Sequence, residues 1–270
     1  MSTRQVFILG SPRSGTSALA WALAQHPDMW TSAESDFLLY LFRDGRLKSA
    51  WEESTKRPDG GWLQKNRVDY LEFAQYIGTG IDSMFRSRSR GLMWVDQTPG
   101  YTLMADILKD LFPFARFIHI VRDGRSVVSS MLSSDFESLG FSMKWTTDFD
   151  EACKAWKVYA GRAQKFVNEN PDIAMQVRQE DLLVRSQEVM NGVIEFLGLD
   201  SSERPAEFLS KKRLNSSYDS GGKTVVDAGE KLTQANKLGP WNKWSNRQQR
   251  AFNKIAGEVF LSLGYSMEQE

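Results

Sequence analysis

The beginning of the chain constrains the fold more than any other feature of the sequence. An apolar run at residues 6–9 (VFIL) predicts a buried strand, residues 10–15 (GSPRSG) a loop, and residues 16–25 (TSALAWALAQ) a helix. Free N–H groups at the start of such a helix, with the helix dipole behind them, attract an oxyanion. The chain is therefore predicted to open with a phosphate-binding strand, loop and helix.

Strands and helices alternate along the rest of the chain. Further strands are predicted at residues 29–32, 92–95, 114–121 and 173–177. Helices are predicted at residues 70–85, 102–111, 124–132, 188–197 and 247–263. Because such alternation implies parallel crossovers, the sequence predicts an α/β fold with a central parallel sheet flanked by helices. One domain, residues 1–270, is expected.

Three long segments fit this alternation poorly and are interpreted as binding loops or as surface excursions. They are residues 43–90, 133–148 and 215–241. The first contains the predicted helix at residues 70–85, and the third is polar and contains glycine.

Composition limits the partners and the compartment. The 34 basic and 34 acidic residues cancel, so no overall field favours nucleic acid or an anionic membrane. No signal peptide is expected, because the apolar run at residues 6–9 is too short, and no stretch of the sequence has the roughly 20 consecutive apolar residues of a membrane span. The single cysteine, Cys153, excludes an internal disulfide and suits a reducing compartment. We therefore expect a soluble, cytoplasmic protein.

The loop differs from a nucleoside triphosphate loop in one position. Four residues separate the two glycines, Gly10 and Gly15, as in that loop, but Thr16 occupies the position of its phosphate-binding lysine. This difference argues against kinase or NTPase chemistry, although a degenerate phosphotransferase remains an alternative. Arg13 supplies a cation earlier in the loop, which suits a phosphate bearing a second anionic group.

Two motifs resemble those of sulfotransferases that use 3′-phosphoadenosine 5′-phosphosulfate (PAPS). Residues 11–17 (SPRSGTS) are similar to the family's 5′-phosphosulfate loop, and residues 120–130 (IVRDGRSVVSS) to its 3′-phosphate motif. In the second motif, Arg122 and Ser130 keep the family's eight-residue spacing from a strand end into the next helix. Shorter matches at residues 177–182, 195–199, 237–241 and 256–265 extend the resemblance, which is greatest to the bacterial and tyrosylprotein-type members.

The resemblance implies transfer of a sulfuryl group from PAPS to an acceptor hydroxyl, with 3′-phosphoadenosine 5′-phosphate (PAP) as the other product. The residues that it assigns to the nucleotide are Ser11, Pro12, Arg13, Ser14, Gly15, Thr16, Ser17, Arg122, Ser130, Gln179, Lys237, Leu238 and Gly239. Arg13 and the loop amides are expected to stabilise the leaving group. No metal ion is expected, because the sequence shows no clustered His, Asp and Glu ligands.

Glu34 is the candidate general base. It follows the second predicted strand, just past the carboxyl edge where open α/β sheets place their sites, and the tyrosylprotein-type group has its catalytic glutamate there. A residue that interacts with a helix dipole is the alternative for Glu34. The only histidines, His26 and His119, are interpreted as structural residues.

Two positions depart from the family pattern. Gln97 stands where members usually have a lysine that helps to neutralise the transferring sulfate, so it brings hydrogen-bond donors without charge. Gln179 stands where many members have a tyrosine near the adenine. Because of Gln97, a non-catalytic protein that binds PAPS or PAP is a second alternative. The sequence leaves the acceptor open among sugars, lipid alcohols, peptide tyrosines and metabolite hydroxyls.

Overall fold

Five short strands form one parallel sheet, as the sequence predicts. The computed structural model describes residues 5–56, 58, 60–133, 143–214, 225–227 and 240–267. The strands are β1 (Gln5–Leu9), β2 (Met29–Thr31), β3 (Met93–Asp96), β4 (Arg116–Val121) and β5 (Ala174–Arg178), in the spatial order β2-β3-β1-β4-β5. Strand β1 is thus central, and the other four strands of the sheet run parallel to it. The predicted α/β fold is confirmed.

Helices cover both faces of this sheet. They are α1 (Thr16–Leu23), α2 (Phe37–Phe42), α3 (Arg46–Thr55), α4 (Trp62–Lys65), α5 (Tyr70–Ser89), α6 (Ala105–Leu111), α7 (Gly124–Leu132), α8 (Phe149–Glu169), α9 (Gln179–Val184), α10 (Ser186–Phe196), α11 (Arg204–Lys211) and α12 (Asn246–Ser262). Short 3-10 helices occur at Arg43–Gly45, Pro99–Met104, Lys144–Thr146 and Pro240–Lys243. Two further strands, β6 (Lys212–Leu214) and β7 (Val225–Asp227), form an antiparallel pair. Within the described ranges, no helix has the length and apolar character needed to cross a membrane.

The side chains on both faces of β1 are apolar, which allows helices to pack on each face. Phe7 and Leu9 belong to a core shared with α5, α6 and α8, whereas Val6 and Ile8 pack with α1 and α10. Phe7 makes aromatic contacts with Trp94 of β3. A fully buried central strand of this kind holds the loop that follows it on a rigid base.

The structure corrects the predicted helix at residues 102–111. A 3-10 helix, Pro99–Met104, precedes α6, which begins only at Ala105. The Thr102 hydroxyl accepts a hydrogen bond from the Gly10 N–H (2.8 Å) and lies 3.1 Å from the Gly10 carbonyl oxygen, to which it can donate. These contacts fix the turn against the end of β1 and thereby support the loop after it.

Candidate active site

The ends of the five parallel strands bring the predicted site residues to one edge of the sheet. The loop at residues 10–15 follows β1, Glu34 lies three residues beyond β2, and Gln97 follows β3 directly. Arg122 follows β4 directly, and Gln179 follows β5. Open parallel sheets bind ligands at this carboxyl edge, next to the strand where the chain order reverses, which here is β1.

The loop after β1 is tightly built. A Cβ atom at Gly10 would lie 2.8 Å from the Ile120 carbonyl oxygen, so no side chain fits between β1 and β4. Inside the loop, the Ser14 N–H donates to the Ser11 carbonyl oxygen (3.1 Å). Gly15 has a φ of 97° and is the N-cap of α1. A glycine N-cap adds no side chain that would compete with an anion for the first N–H groups of the helix.

Three of the predicted nucleotide-binding residues meet beside this loop. The Arg13 Nε donates to the Ser130 hydroxyl (3.1 Å), and the Arg122 Nη1 donates to the Arg13 carbonyl oxygen (2.9 Å). Arg13 has a φ of 71°, which is uncommon outside glycine. The loop, the end of β4 and the last turns of α7 thus place two guanidinium groups and a hydroxyl together.

The electrostatics of this cluster suit an anionic ligand. Burial first, and then the positive charge of Arg122, lower the pKa of Arg13. Arginine nevertheless stays protonated in proteins, so two cations lie side by side in a partly buried place. A phosphate group bound here would offset their repulsion and could accept charge-assisted hydrogen bonds from both guanidinium groups. The residues present therefore fit the phosphates of a nucleotide.

Contacts that the sequence analysis missed fix the position of Arg122. The next residue, Asp123, is the N-cap of α7 and accepts from the Arg125 N–H (2.8 Å). The Asp123 N–H donates to Glu180 Oε1 (2.8 Å), and the Tyr265 hydroxyl donates to Glu180 Oε2 (3.1 Å). The end of β4 is thereby tied to α9 and to the residues after α12. Only the partial match at residues 177–182 pointed to Glu180.

The position of Ser130 is stabilised in a similar way by residues that lie just before α12. Trp244 Nε1 donates to the hydroxyl of the neighbouring Ser129 (3.0 Å), and Trp244 packs edge-on against Phe149 at the start of α8. The guanidinium group of Arg125, also on α7, lies over the Trp241 ring at 5.0 Å from its centroid. The residues after Pro240 therefore hold the helix that carries Ser130.

The remaining nucleotide-binding candidates are distributed around the loop. Ser11, Ser14 and Thr16 are buried, whereas Pro12, Gly15 and Ser17 are half-buried. The Gln179 side chain flanks the loop, because its Cγ lies 3.4 Å from where a Cβ of Gly15 would be. Lys237, Leu238 and Gly239 lie outside the described residues.

Glu34 lies half-buried in the turn between β2 and α2, at the same edge of the sheet. Strand β2 is two places from β1 in the sheet, which corresponds to about 10 Å at the usual strand spacing. Burial and then the negative charge of Glu34 raise the pKa of Tyr159, so this tyrosine of α8 lies within electrostatic range of the Glu34 carboxylate. Tyr159 could not be predicted from the sequence, since no local pattern links residues 125 positions apart.

The two histidines are structural, as predicted. His26 is buried before β2, at the opposite edge of the sheet; its Nε2 is 2.8 Å from the Asp200 carbonyl oxygen, and its Nδ1 accepts from the Asp28 N–H (3.2 Å). His119 is fully buried in β4, with Nδ1 3.1 Å from Gln176 Oε1. Burial lowers the pKa of His119 to about 4. Neither imidazole is placed to receive a proton from a bound acceptor.

The low pKa of His119 predicts an acid-sensitive contribution to stability. Between pH 6.5, the ordinary pKa of histidine, and pH 4, the unfolded chain binds a proton here that the folded chain does not, so stability falls as the pH falls. We expect this group to cost about 2 kcal/mol of unfolding free energy between pH 7.5 and pH 5, since one pKa unit corresponds to about 1.4 kcal/mol. Urea unfolding of the wild type and of His119→Gln at both pH values measures the difference. An equal loss in both proteins would contradict it.

The sheet order defines an α/β protein that has two guanidinium groups, those of Arg13 and Arg122, at the carboxyl edge of its sheet. A model of the sulfotransferase family matches residues 5–203, which is more than half of the chain, and the chain belongs to that family. The resemblance seen in the motifs is thereby confirmed.

One relative is the protein-tyrosine sulfotransferase A of Caenorhabditis elegans, 26% identical over 199 residues that cover 72% of this chain and 50% of the relative. The sulfotransferase domain from the curacin biosynthetic pathway has a TM-score of 0.60 at 18% identity and covers 99% of both chains. Mouse sulfotransferase SULT7A1, solved in complex with PAP, has a TM-score of 0.53 at 14% identity and covers 96% of this chain and 84% of its own. The structural likenesses show the fold. The chain spans 50% of the length of the Caenorhabditis elegans relative and 41% of the length of the protein-tyrosine sulfotransferase of Drosophila melanogaster.

Proposed function

We propose that this protein transfers the sulfuryl group of PAPS to an acceptor hydroxyl without a metal ion. The observation that carries the proposal is the meeting of Arg13, Arg122 and Ser130 beside the loop after β1. Family membership and the adjacent phosphate-type loop support it. The solved relative that holds PAP adds support for the nucleotide.

The proposed roles follow from the positions of the residues. The first N–H groups of α1 and the Arg13 guanidinium group bind the 5′-phosphate, and Arg122 and Ser130 bind the 3′-phosphate. Gln179, which flanks the loop, is assigned to the adenine side of the nucleotide. PAPS supplies the activated sulfuryl group in this site.

In the transfer step, the acceptor oxygen forms a bond to sulfur while the bond between sulfur and the bridging phosphate oxygen breaks. The acceptor proton passes to the Glu34 carboxylate. Arg13 and the loop amides stabilise the negative charge that develops on the departing phosphate. Atoms and charge balance, with a sulfate ester and PAP as the products.

The assignment of the 3′-phosphate predicts a nucleotide preference. PAP differs from AMP only in this phosphate, and we expect PAP to bind more tightly because one charged contact is worth about 1.5–3 kcal/mol. Arg122→Ala should reduce the preference for PAP over AMP by about tenfold or more. Isothermal titration calorimetry with the two nucleotides measures the effect.

Arg116→Ala is the matched control, because Arg116 begins the same strand at the opposite edge and donates to the Asp172 carbonyl oxygen. Its loss should leave the nucleotide preference unchanged. Equal affinities of the wild type for PAP and AMP would remove the assignment of Arg122 and Ser130.

A further inference from the structure

We propose that the residues at the end of β3 position Glu34 for catalysis. The positioning residues are Asp96, Gln97 and Thr98, which act through Thr31, Ser32 and Ser35 on either side of Glu34. The inference rests on the proposed role of Glu34 as the general base. It assigns a function to Gln97, the residue that departs from the family pattern.

Gln97 holds the chain on the N-terminal side of Glu34. Its side chain is fully buried, and its Nε2 donates to the Ser32 carbonyl oxygen (3.1 Å). The Thr31 hydroxyl lies 3.3 Å from Gln97 Oε1 and 2.9 Å from the Val95 carbonyl oxygen, and can donate to either. Gln97 Nε2 therefore binds the turn that follows β2, and Gln97 Oε1 lies within hydrogen-bond distance of the Thr31 hydroxyl, whose single proton is shared with the Val95 carbonyl oxygen.

Asp96 and Thr98 hold the chain on the C-terminal side. The Ser35 hydroxyl is 2.5 Å from Asp96 Oδ2, and the Ser35 N–H donates to Thr98 Oγ1 (3.1 Å). The Thr98 hydroxyl in turn donates to Asp96 Oδ1 (2.8 Å). The Tyr101 hydroxyl is also 2.5 Å from Ser35 Oγ. Asp96, Thr98 and Tyr101 are buried, so these hydrogen bonds lie in a low-dielectric place where they are strong.

Together these contacts fix the backbone two residues before Glu34 and one residue after it. Proton transfer during the attack requires the base within hydrogen-bond reach of the acceptor, and a misplacement of about 1 Å can cost about 100-fold in rate. A turn held at both ends keeps the carboxylate in place.

The same contacts show what a lysine at position 97 would change. A lysine at this position would bring three donors and no acceptor, so the contact of Oε1 with Thr31 would be lost. It would also bring a cation into a fully buried place. In this protein the Gln97 side chain binds the turn that carries Glu34, and among the described residues Arg13 and Arg122 supply positive charge at the proposed anion site.

The test compares kcat, KM for PAPS and PAP affinity in position-97 and position-35 variants of the full chain. Gln97→Met keeps the side-chain length and removes both hydrogen bonds, and we expect kcat to fall by roughly tenfold to 100-fold. KM for PAPS and the Kd of PAP should stay within about twofold, since the nucleotide site is not altered. Gln97→Lys should also lose activity; a higher kcat in this variant would overturn the inference.

Two substitutions of Ser35, one that removes the hydroxyl and one that keeps it, test the inference independently if a Gln97 variant does not fold. Ser35→Ala removes the hydroxyl and should lower kcat, whereas Ser35→Thr keeps the hydroxyl and should retain most of the activity. A purely structural role of Ser35 would instead weaken PAP binding and kcat together, which would contradict the inference.

The variant Glu34→Gln separates this inference from the proposed function. If Ser35 acts through Glu34, adding Ser35→Ala to Glu34→Gln should cause little further loss. Normal turnover in Glu34→Gln itself would overturn the role of Glu34 as general base, which belongs to the proposed function. A large loss in Glu34→Gln with normal turnover in both Gln97→Met and Ser35→Ala would overturn the positioning role alone.

Discussion

Replacement of Glu34 by glutamine is expected to lower kcat by roughly 10²- to 10⁴-fold, the range of a positioned general base. Glutamine keeps the size and the hydrogen bonding of the side chain but cannot accept the acceptor proton. PAP affinity should barely change, because Glu34 is assigned to the acceptor side of the sulfur. Steady-state kinetics and calorimetry on the same protein measure both quantities.

The histidines provide the controls for this experiment. His26 and His119 are buried and engaged in hydrogen bonds to Asp200, Asp28 and Gln176, so substituting them should affect stability more than turnover. A role of Glu34 at a helix terminus would give a modest loss of thermal stability with near-normal turnover. That pattern in Glu34→Gln would contradict the proposed base.

Replacement of Arg13 by alanine is expected to lower kcat/KM by roughly 10²- to 10³-fold, the usual effect of removing one donor that stabilises developing charge. Arg13 is assigned to the leaving phosphate, and its Nε also donates to Ser130, which is assigned to the 3′-phosphate. Arg13→Ala should therefore weaken PAP binding as well as turnover.

The substitution Arg13→Lys tests these two contributions of Arg13 separately. Lysine keeps the positive charge but lacks the Nε group and the planar fork that a guanidinium group offers to phosphate. We expect an intermediate loss of kcat/KM, with PAP affinity reduced because the contact with Ser130 is missing. Wild-type kinetics in Arg13→Ala would contradict the assignment of Arg13 to the leaving group.

Much of the sheet could be predicted from local pattern, because a buried parallel strand is a short apolar run whatever surrounds it. Strand β1 and helix α7 lie where the sequence predicts them, within one residue at each end. Of the long helix α8, the sequence predicts only a helical stretch at residues 151–156 around Cys153. Its apolar residues Ala152, Trp156, Ala160 and Ala163 recur at helical spacing, but charged and small residues interrupt the pattern.

The candidate site could be predicted only in part. The spacing from Arg122 to Ser130 is local, since it is set by a strand end and two helical turns. The family resemblance then indicated that these two residues bind the 3′-phosphate. The contact of Arg13 with Ser130 joins residues 117 positions apart, and no local rule gives it. The same holds for Gln97, whose residue type indicates hydrogen bonding without showing that Ser32 and Thr31 are its partners.

The transfer of labelled sulfur tests the central claim most directly. The protein would be incubated with PAPS labelled in its sulfuryl group, in EDTA, with one representative each of a sugar, a lipid alcohol, a tyrosyl peptide and a small metabolite bearing a hydroxyl. We predict a labelled sulfate ester of at least one acceptor, with one PAP released for each ester formed. Tight PAP binding without a labelled ester from any of the four classes would contradict sulfuryl transfer and favour a nucleotide-binding protein without catalysis.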